Sequence, residues 1–268
     1  MIKIIFSDMD GTLLDENSQL PAGFDDMIVK LKERDVIFAP TSGRQYFSLL
    51  KSFEKYKEDF LFVAENGAIV MYQGEEIFSN PMPRNTALDI LAAGEGFDDV
   101  LRVYCGKKNA YLLENQYKKE YLDELSKYFT RNEPVKSFEK INDIPLKMSF
   151  CDINGKSAET IYPVVKEKFG ATMQVVLASD YWTDVINPDV NKGAAIKKIQ
   201  EGLAITPDNC AAFGDYLNDV QMLQSVTYSF AMKNAHPDLK KFAKYETVSN
   251  AEHGVLIGIQ KLIDEGLI

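Results

Sequence analysis

Apolar residues follow two alternating patterns along the first 64 residues of the chain. Short runs at 2–6, 36–39 and 61–64 are almost wholly apolar and predict buried strands. The segments between these runs carry apolar residues at the i, i+3, i+4, i+7 spacing of an amphipathic helix. The helical positions are Phe24, Met27, Ile28 and Leu31, followed by Tyr46, Leu49, Leu50 and Phe53. Strands that alternate with helices predict right-handed crossovers and a parallel sheet.

The pattern changes after residue 64. Gln73-Gly74 lies between two short β-like runs, 68–72 and 76–79, and predicts a hairpin. Strand-like and helical segments then mix over about 84–186. The predicted strands are 101–105, 111–113, 146–151, 173–178 and 182–186, and the predicted helices lie near 85–93, 117–129 and 156–168. A stretch of this size is long enough to form an α+β domain of its own.

The alternation of strands and helices resumes after Pro188. The predicted strands are 210–213 and 228–231, and the predicted helices are 192–200, 217–223, 236–243 and 254–264. We therefore predict an α/β protein with a Rossmann-like parallel-sheet core that is discontinuous in sequence. The core is formed by 1–82 and 188–268, and the segment 83–187 is inserted into it as a second domain.

Composition and charge narrow the classes of partner. The 268 residues are 46% hydrophobic and 26% charged, which is typical of a globular protein. A formal net charge of −10 disfavours nucleic acid and anionic membrane as main partners, because both repel an acidic surface. No stretch approaches the roughly 18 apolar residues of a membrane span, and three cysteines without a CxxC pair are expected to be reduced thiols. We expect a cytoplasmic protein that binds neither nucleic acid nor membrane.

Two acidic residues follow the first predicted strand directly. Asp8 and Asp10 are separated by one residue, and Gly11 allows a turn after them. Ligands of open parallel sheets bind at the carboxyl ends of the strands, so this position is a candidate site. Two carboxylates at such an edge could bind a hard cation and act as a nucleophile, or could line a solvated turn.

Further polar groups are predicted at the same edge of the sheet. They are Ser42 and Gly43 after the second strand, Lys192 before a helix, and Asp215, Asn218 and Asp219 after the strand 210–213. Each of these alone has an ordinary structural interpretation, such as a helix start, a surface lysine or a helix N-cap. Together they would supply metal ligands, a nucleophile, phosphate donors and a counter-charge at one place.

With these motifs the sequence resembles the haloacid dehalogenase (HAD) superfamily of phosphohydrolases, in its Cof-type class IIB branch, and is most similar to the sugar-phosphatase members. The matching stretches are Asp8-Met9-Asp10-Gly11-Thr12, Ser42-Gly43-Arg44, Glu65-Asn66-Gly67-Ala68, Asn191-Lys192-Gly193 and Gly214-Asp215 through Asn218-Asp219. Many relatives carry Thr where this chain has Ser42, and a small residue where it has Tyr216. The resemblance implies a HAD core with a cap domain at 83–187 that closes over the site.

The resemblance also implies a magnesium-dependent phosphatase. Asp8 would form an aspartyl-phosphate, and Asp10 would serve first as general acid and then as general base. Mg²⁺ would be bound by Asp8, Asp215 and the backbone carbonyl of Asp10. The remaining candidates are Ser42, Gly43, Lys192 and Asn218 as substrate- and phosphate-binding residues, with Thr12 and Asp219 in a supporting second layer.

Other classes of protein share parts of this pattern. A sugar phosphomutase would use the same intermediate but return the phosphoryl group to a sugar. A receiver-like phospho-switch would also combine an aspartyl-phosphate with a lysine on a parallel sheet, but it needs no leaving-group acid such as Asp10. The complete set of acids disfavours a catalytically idle binding protein.

The expected partner is a small phosphorylated metabolite, with sugar phosphates favoured, and a monomer is preferred. His236 and His253 lie outside the motifs and are expected to be structural or surface residues.

Overall fold

The computed structural model describes residues 1–118, 121, 125, 126 and 128–268. The chain divides into two compact units, one formed by Met1–Phe78 with Asn191–Ile268 and the other by Ser79–Val190. Their predicted roles as catalytic core and cap, with boundaries at 82/83 and 187/188, stay predictions.

The strands and helices of the described residues are numbered in chain order. The strands are β1 (Ile4–Ser7), β2 (Ile37–Pro40), β3 (Leu61–Ala64), β4 (Ile69–Tyr72), β5 (Glu75–Ser79), β6 (Val100–Gly106), β7 (Ala110–Leu113), β8 (Asn132–Val135), β9 (Pro145–Asp152), β10 (Gln174–Leu177), β11 (Trp182–Ile186), β12 (Cys210–Gly214), β13 (Tyr228–Ala231) and β14 (Tyr245–Glu246). The helices are α1 (Phe24–Lys32), α2 (Tyr46–Ser52), α3 (Arg84–Ala92), α4 (Ile161–Phe169), α5 (Lys192–Leu203), α6 (Val220–Gln224), α7 (Pro237–Lys240) and α8 (Gly254–Asp264).

A parallel sheet with the strand order β14-β13-β12-β1-β2 forms the centre of the first unit. The predicted α/β class with a parallel-sheet core is thus confirmed. Ser7 at the end of β1 lies in register with Pro40 on β2 and with Phe213 on β12. The carboxyl ends of these three strands therefore meet at one edge, which brings together the loops that carry the predicted motifs.

Strand β3 differs from the prediction, which placed it in the parallel sheet. It pairs antiparallel with β4 in a separate three-stranded sheet of order β3-β4-β5. Its link to β2 is reduced to an isolated parallel bridge between Thr41 and Val63. An apolar run indicates that a strand is buried but not which strand it pairs with. Strand β4, the first strand of the hairpin at Gly74, is nearer to β3 along the chain than β1 or β12 and pairs with it.

Three helices are shorter than their patterns predict, and one of them is α7, which spans only Pro237–Lys240 of the predicted 236–243. The segment 217–223 begins with a 3₁₀ turn at Leu217–Asp219, and α6 starts only at Val220. The segment 156–168 forms α4 only from Ile161 onward. The helix predicted at 117–129 includes residues that lie outside the described part of the chain.

Aromatic side chains fill the core beside β2 and β3. Phe24 on α1 contacts the rings of Phe38, Phe53, Tyr56 and Phe60, at centroid distances of 5.5 to 6.3 Å. Burial of these large apolar rings is the main favourable contribution to packing α1 on the sheet.

The second unit is built on a six-stranded sheet of order β10-β11-β9-β6-β7-β8. Strands β7 and β8 run parallel to each other, and the other neighbouring strands of this sheet pair antiparallel. Strand β9 is buried along its whole length and contains Lys147, whose ammonium pairs with Asp184 on β11 at 3.1 Å. Each partner of this pair supplies the opposite charge that the other needs in a buried position.

Cys105, Cys151 and Cys210 are buried thiols. None of the helices in the described part of the chain has the length and apolar character that a membrane span requires.

Candidate active site

Asp8 stands at the carboxyl end of β1 and is buried. Its backbone N–H donates to the carbonyl of Phe213 at 3.0 Å, which continues the ladder between β1 and β12 by one residue. The hydroxyl of Ser7 donates to the Asp8 carbonyl at 2.8 Å. The backbone that carries Asp8 is therefore held by the central strands of the sheet, which gives this side chain a rigid support.

Lys192 is buried and bridges two carboxylates. Its Nζ donates to Asp8 Oδ1 and, at 2.6 Å, to Asp219 Oδ1. Lys192 is the first residue of α5, whose start is fixed by Asn191, a side-chain cap that accepts from the N–H of Ala194 at 2.8 Å. Burial lowers the pKa of the Lys192 ammonium, but Asp219 and Asp8 outweigh burial, and the pKa is raised overall. Lys192 therefore remains a cation inside the protein.

Asp219 is buried and fully engaged with the protein. While Oδ1 accepts from Lys192, Oδ2 accepts from the backbone N–H groups of Asp215 at 3.0 Å and Tyr216 at 3.3 Å. A Cβ at Gly214 would lie 2.7 Å from Asp219 Oδ2, so only glycine allows this close approach. Asp219 thereby shapes the turn after β12 and positions Lys192.

Asp215 lies over the loop that follows Asp10. The hydroxyl of Thr12 donates to Asp215 Oδ1 at 2.8 Å. Gly11 has φ of +80°, and a Cβ there would lie 2.4 Å from Asp215 Oδ2. Burial raises the pKa of Asp215 to about 6, against the opposing effect of the hydrogen bond from Thr12. A glycine in the DxDGT motif is therefore needed both for the turn and for the space that Asp215 occupies.

Three carboxylates converge closely enough to hold a metal ion. One oxygen each of Asp8, Asp215 and Asp219 lie within 4.8 Å of one another. Burial raises the pKa of Asp8 well above its ordinary range, and Asp219 and Asp215 raise it further, while Lys192 opposes the shift. Lys192 offsets only one of the three negative charges, so the cluster fits a hard divalent cation. Because both oxygens of Asp219 accept hydrogen bonds within the protein, Asp8 and Asp215 are the better ligands.

Asp10 lies apart from this carboxylate cluster. Its side chain is 58% exposed and accepts hydrogen bonds from Arg44, from Nε at 3.0 Å and also from Nη2. The side chain of Asp10 thus faces Arg44, and its predicted contribution as a metal ligand rests on the backbone carbonyl alone. Arg44 belongs to the Ser42-Gly43-Arg44 motif, which by itself gives the arginine no role. The only local signal for it was a cation directly after Ser42-Gly43.

Ser42 and Gly43 form a tight turn after β2. Ser42 is buried, its N–H donates to the carbonyl of Val63 at 2.9 Å, and its hydroxyl accepts from the N–H of Arg44 at 3.2 Å. A Cβ at Gly43 would lie 3.0 Å from the side-chain nitrogen of Asn66. Asn66, with φ of +57°, belongs to the Glu65-Asn66-Gly67 turn after β3. Two strand ends therefore contribute to this side of the site.

The structure gathers most of the predicted site residues but leaves Asn218 at the surface. Asn218 lies in the 3₁₀ turn Leu217–Asp219 with an exposed side chain. Its predicted part in substrate binding stays a prediction. Thr12, by contrast, lies against Asp215 as a supporting residue.

Two asparagines that sequence analysis did not assign hold the loop after Asp10. Asn234 Nδ2 donates to the carbonyl of Gly11 at 2.8 Å. Asn234 Oδ1 accepts from the N–H of Asn250 at 3.2 Å, and Asn250 Nδ2 donates to the carbonyl of Leu14 at 2.9 Å. We call this pair the asparagine clamp. Its members follow β13 and β14, so only the fold brings them to the loop.

Comparison with known proteins agrees with this geometry. A family model described as haloacid dehalogenase-like hydrolase matches residues 5–259, and the chain belongs to this family. A 5-amino-6-(5-phospho-D-ribitylamino)uracil phosphatase of Escherichia coli is 30% identical over 98% of this chain and 96% of its own. A putative phosphatase of Bacillus subtilis is 27% identical over 97% of each chain. The chain is accordingly a hydrolase of the phosphatase class, as the resemblance predicted.

Solved structures show the same fold. A structure from Streptococcus mutans covers 98% of this chain and 100% of its own, with a TM-score of 0.85 and 27% identity. A HAD subclass IIB sugar phosphatase covers 99% of this chain and 100% of its own, with a TM-score of 0.78 and 20% identity. At that identity the second comparison shows the fold alone.

Proposed function

We propose that this protein is a Mg²⁺-dependent phosphatase that hydrolyses small phosphate monoesters, chiefly sugar and sugar-alcohol phosphates. The observation that carries the proposal is the cluster in which the buried Lys192 contacts Asp8 and Asp219, with the half-buried Asp215 beside them. Phosphate monoesters resist hydrolysis because a nucleophile must approach a charged phosphoryl group. The cluster combines the proposed nucleophile Asp8 with the buried positive charge of Lys192. Its carboxylates can also bind a second positive charge, the metal ion.

Asp8 is the nucleophile of the proposed reaction. One of its carboxylate oxygens attacks phosphorus, the bond from phosphorus to the leaving oxygen breaks, and an aspartyl-phosphate forms. Water then attacks the phosphorus of this intermediate and releases inorganic phosphate, which restores Asp8. Lys192 orients the attacking carboxylate through its contact with Oδ1 and remains charged beside the phosphoryl oxygens.

Asp10 is the proton-transfer group. It gives a proton to the leaving alkoxide in the first step and takes one from the attacking water in the second. Its exposed carboxylate is free to meet a leaving group that enters from solvent, and Arg44 fixes its orientation. This location outside the metal-binding cluster suits a group that must exchange protons in both steps.

Asp8 and Asp215, with the backbone carbonyl of Asp10, would hold the Mg²⁺. The bound ion would offset negative charge on the phosphoryl group and on the nucleophile. Ser42 and Gly43, in the turn after β2, would donate to phosphoryl oxygens, and Thr12 would keep Asp215 oriented through its 2.8 Å hydrogen bond.

The substrate class is supported by the E. coli relative, whose name describes an ester between phosphate and a ribityl chain. The proposal is tested by measuring phosphate release from hexose, pentose and polyol phosphates, nucleotides and cofactor phosphates, with Mg²⁺ and with EDTA. We expect metal-dependent release that is lost in Asp8→Asn and greatly slowed in Asp10→Asn. Isomerised sugar phosphate without free phosphate would indicate a mutase instead. Stable phosphorylation with negligible turnover would indicate a phospho-switch.

A further inference from the structure

Two large apolar side chains stand exposed beside the carboxylate cluster. Tyr216, the residue after Asp215, is 58% exposed, and Leu217 is 41% exposed. Consecutive Cα atoms are about 3.8 Å apart, so the backbone of Tyr216 lies directly beside that of Asp215, a member of the cluster. Asp215 belongs to the carboxylate cluster, so an exposed aromatic ring on the next residue is available to contact a ligand that reaches this cluster.

The ring of Tyr216 is positioned by the protein on one side. It meets the imidazole of His236 at a centroid distance of 5.7 Å and an interplanar angle of 86°, an edge-to-face contact. His236 is itself tied to the site, because its N–H donates to the carbonyl of Asp215 at 2.8 Å. The N–H of Tyr216 donates to Asp219 Oδ2 at 3.3 Å. Both rings are thus anchored to the backbone that carries the carboxylate cluster.

The other side of His236 is also occupied. Its Nδ1 accepts from the N–H of Asp238 at 3.2 Å, at the start of α7. This bond restrains the imidazole, so the ring that supports Tyr216 is held in place. A restrained aromatic ring loses less rotational freedom when a ligand covers it.

We propose that Tyr216, supported edge-on by His236, stacks on a planar ring carried by the leaving group of the substrate. The inference rests on the proposed phosphatase function and narrows its substrates to phosphate esters that bear such a ring. The exposed face of an aromatic ring is complementary to another flat π face. Removal of an aromatic residue that stacks on a base costs roughly 5- to 150-fold in affinity.

A matched pair of substrates tests the stack. Riboflavin 5′-phosphate and D-ribitol 5-phosphate share the same ribityl phosphate, and only the first carries a planar ring. We expect Tyr216→Ala to lower the ratio of their kcat/KM values by about tenfold or more, whereas Tyr216→Phe keeps the ratio. Phe242→Ala removes another exposed aromatic side chain of the same unit, 42% exposed, and should leave the ratio unchanged.

Two results would overturn the stack while the phosphatase stands. One is a ratio that Tyr216→Ala leaves unchanged, whether both rates fall equally or neither falls, and the other is a ratio that Phe242→Ala lowers as much as Tyr216→Ala does. The parent protein could instead prefer glucose 6-phosphate to riboflavin 5′-phosphate in kcat/KM, with Tyr216→Ala abolishing that preference. This result would show that Tyr216 contacts a sugar ring and not a planar ring.

A binding measurement separates this proposal from the phosphatase proposal. Binding of riboflavin 5′-phosphate to Asp8→Asn quenches flavin fluorescence if the ring stacks, with no turnover required. Adding Tyr216→Ala should weaken that binding by roughly 5-fold or more. Quenching that depends on Tyr216 would uphold the stack even if no phosphate were released from any substrate. Binding of equal affinity with and without Tyr216 would refute it.

Discussion

Arg44 binds the carboxylate of Asp10 through two guanidinium nitrogens, Nε at 3.0 Å and Nη2. This two-point contact fixes both the position and the plane of the carboxylate. The two residues come from the ends of neighbouring parallel strands, β1 and β2. Asp10 is exposed and would otherwise sample several rotamers, so Arg44 fixes the orientation of the carboxylate that we propose transfers protons.

The first prediction concerns this pair. Arg44→Ala should lower kcat by roughly 10- to 100-fold, because a misplaced general acid loses much of its effect. Arg44→Lys should recover only part of the rate, since an ammonium cannot make the two-point contact. The loss should be smaller for p-nitrophenyl phosphate than for a sugar phosphate, because nitrophenolate leaves without protonation. Steady-state kinetics on the two substrates measure this difference.

Arg34→Ala is the matched control, because Arg34 is a surface arginine of the same unit whose nearest carboxylate is Glu33 at 3.8 Å. It should leave both rates unchanged. Equal losses on the two substrates in Arg44→Ala would show that Arg44 acts on something other than the proton donor.

The second prediction concerns the buried lysine. Lys192→Met leaves Asp8 and Asp219 buried without their cation, which should lower the free energy of unfolding by about 3–5 kcal/mol. Urea denaturation of the metal-free protein measures the loss. Lys192→Met combined with Asp219→Asn should regain part of it, because one uncompensated charge is removed.

Lys198→Met is the control for Lys192, since Lys198 lies on the same helix, is largely exposed and pairs with Glu201 on the surface. Its effect on unfolding should stay within about 0.5 kcal/mol. If the two methionine variants were equally stable, the buried lysine would not hold the cluster together.

The third prediction concerns metal removal. Mg²⁺ that binds only the folded protein should raise Tm, with a stabilisation of about 2.7 kcal/mol when its concentration is one hundred times Kd. Asp215→Asn should abolish the shift, since Asp215 has an oxygen available to a cation. Asp219→Asn should keep part of the shift, because its carboxylate oxygens are already engaged within the protein. Thermal unfolding with Mg²⁺ and with EDTA gives the comparison.

Asp26→Asn, at an exposed position on α1, is the control for loss of a negative charge. Mg²⁺ should raise the Tm of this variant as much as it raises that of the unmodified protein. A shift in Asp215→Asn as large as in the parent protein would place the cation elsewhere.

The parallel core and the meeting of the motifs were predictable because both depend on local patterns. Asp8, Ser42 and Asp215 each come soon after an apolar run, and parallel strands place their carboxyl ends at one edge. The partner of β3 was not predictable, because its run of buried residues is the same whether the strand is paired parallel or antiparallel.

The contacts that complete the site were beyond prediction for another reason. The contact between Arg44 and Asp10 joins positions 34 residues apart, and that between Asn234 and Gly11 joins positions 223 apart. No hydrophobic period encodes such a distance, and an asparagine after a strand has several ordinary structural uses. The exposure of Asn218 was not predictable either, since a motif position does not specify where its side chain points.

The fourth prediction concerns the asparagine clamp. Asn234→Ala frees the carbonyl of Gly11, which sits between the two motif residues Asp10 and Thr12. We expect the free energy of unfolding to fall by about 1 kcal/mol and kcat to fall by roughly tenfold. Phosphate-release kinetics and urea denaturation measure the two effects on the same preparation. Asn17→Ala, on an exposed turn of the same unit, should change neither quantity. A loss of stability with full kcat would make the clamp purely structural.

The last prediction concerns two tyrosines of the second unit that converge on Asp143. The hydroxyl of Tyr104 donates to the Asp143 carbonyl at 2.7 Å, and that of Tyr111 donates to Asp143 Oδ2 at 3.1 Å. Burial raises the pKa of Tyr104 and of Tyr111 to about 12, above the ordinary value of about 10. Folding thus favours the neutral phenols, and this stabilisation is complete below pH 10 and lost as the pH rises toward 12.

Urea denaturation between pH 8 and about 11 should therefore show a falling free energy of unfolding. Tyr104→Phe should be about 1 kcal/mol less stable at neutral pH but should show a shallower fall. Tyr181 is 43% exposed, and in Tyr181→Phe the free energy of unfolding should fall with pH as it does in the parent protein. If the curves of the parent, Tyr104→Phe and Tyr181→Phe ran parallel, the buried phenols would be excluded as the cause of the fall.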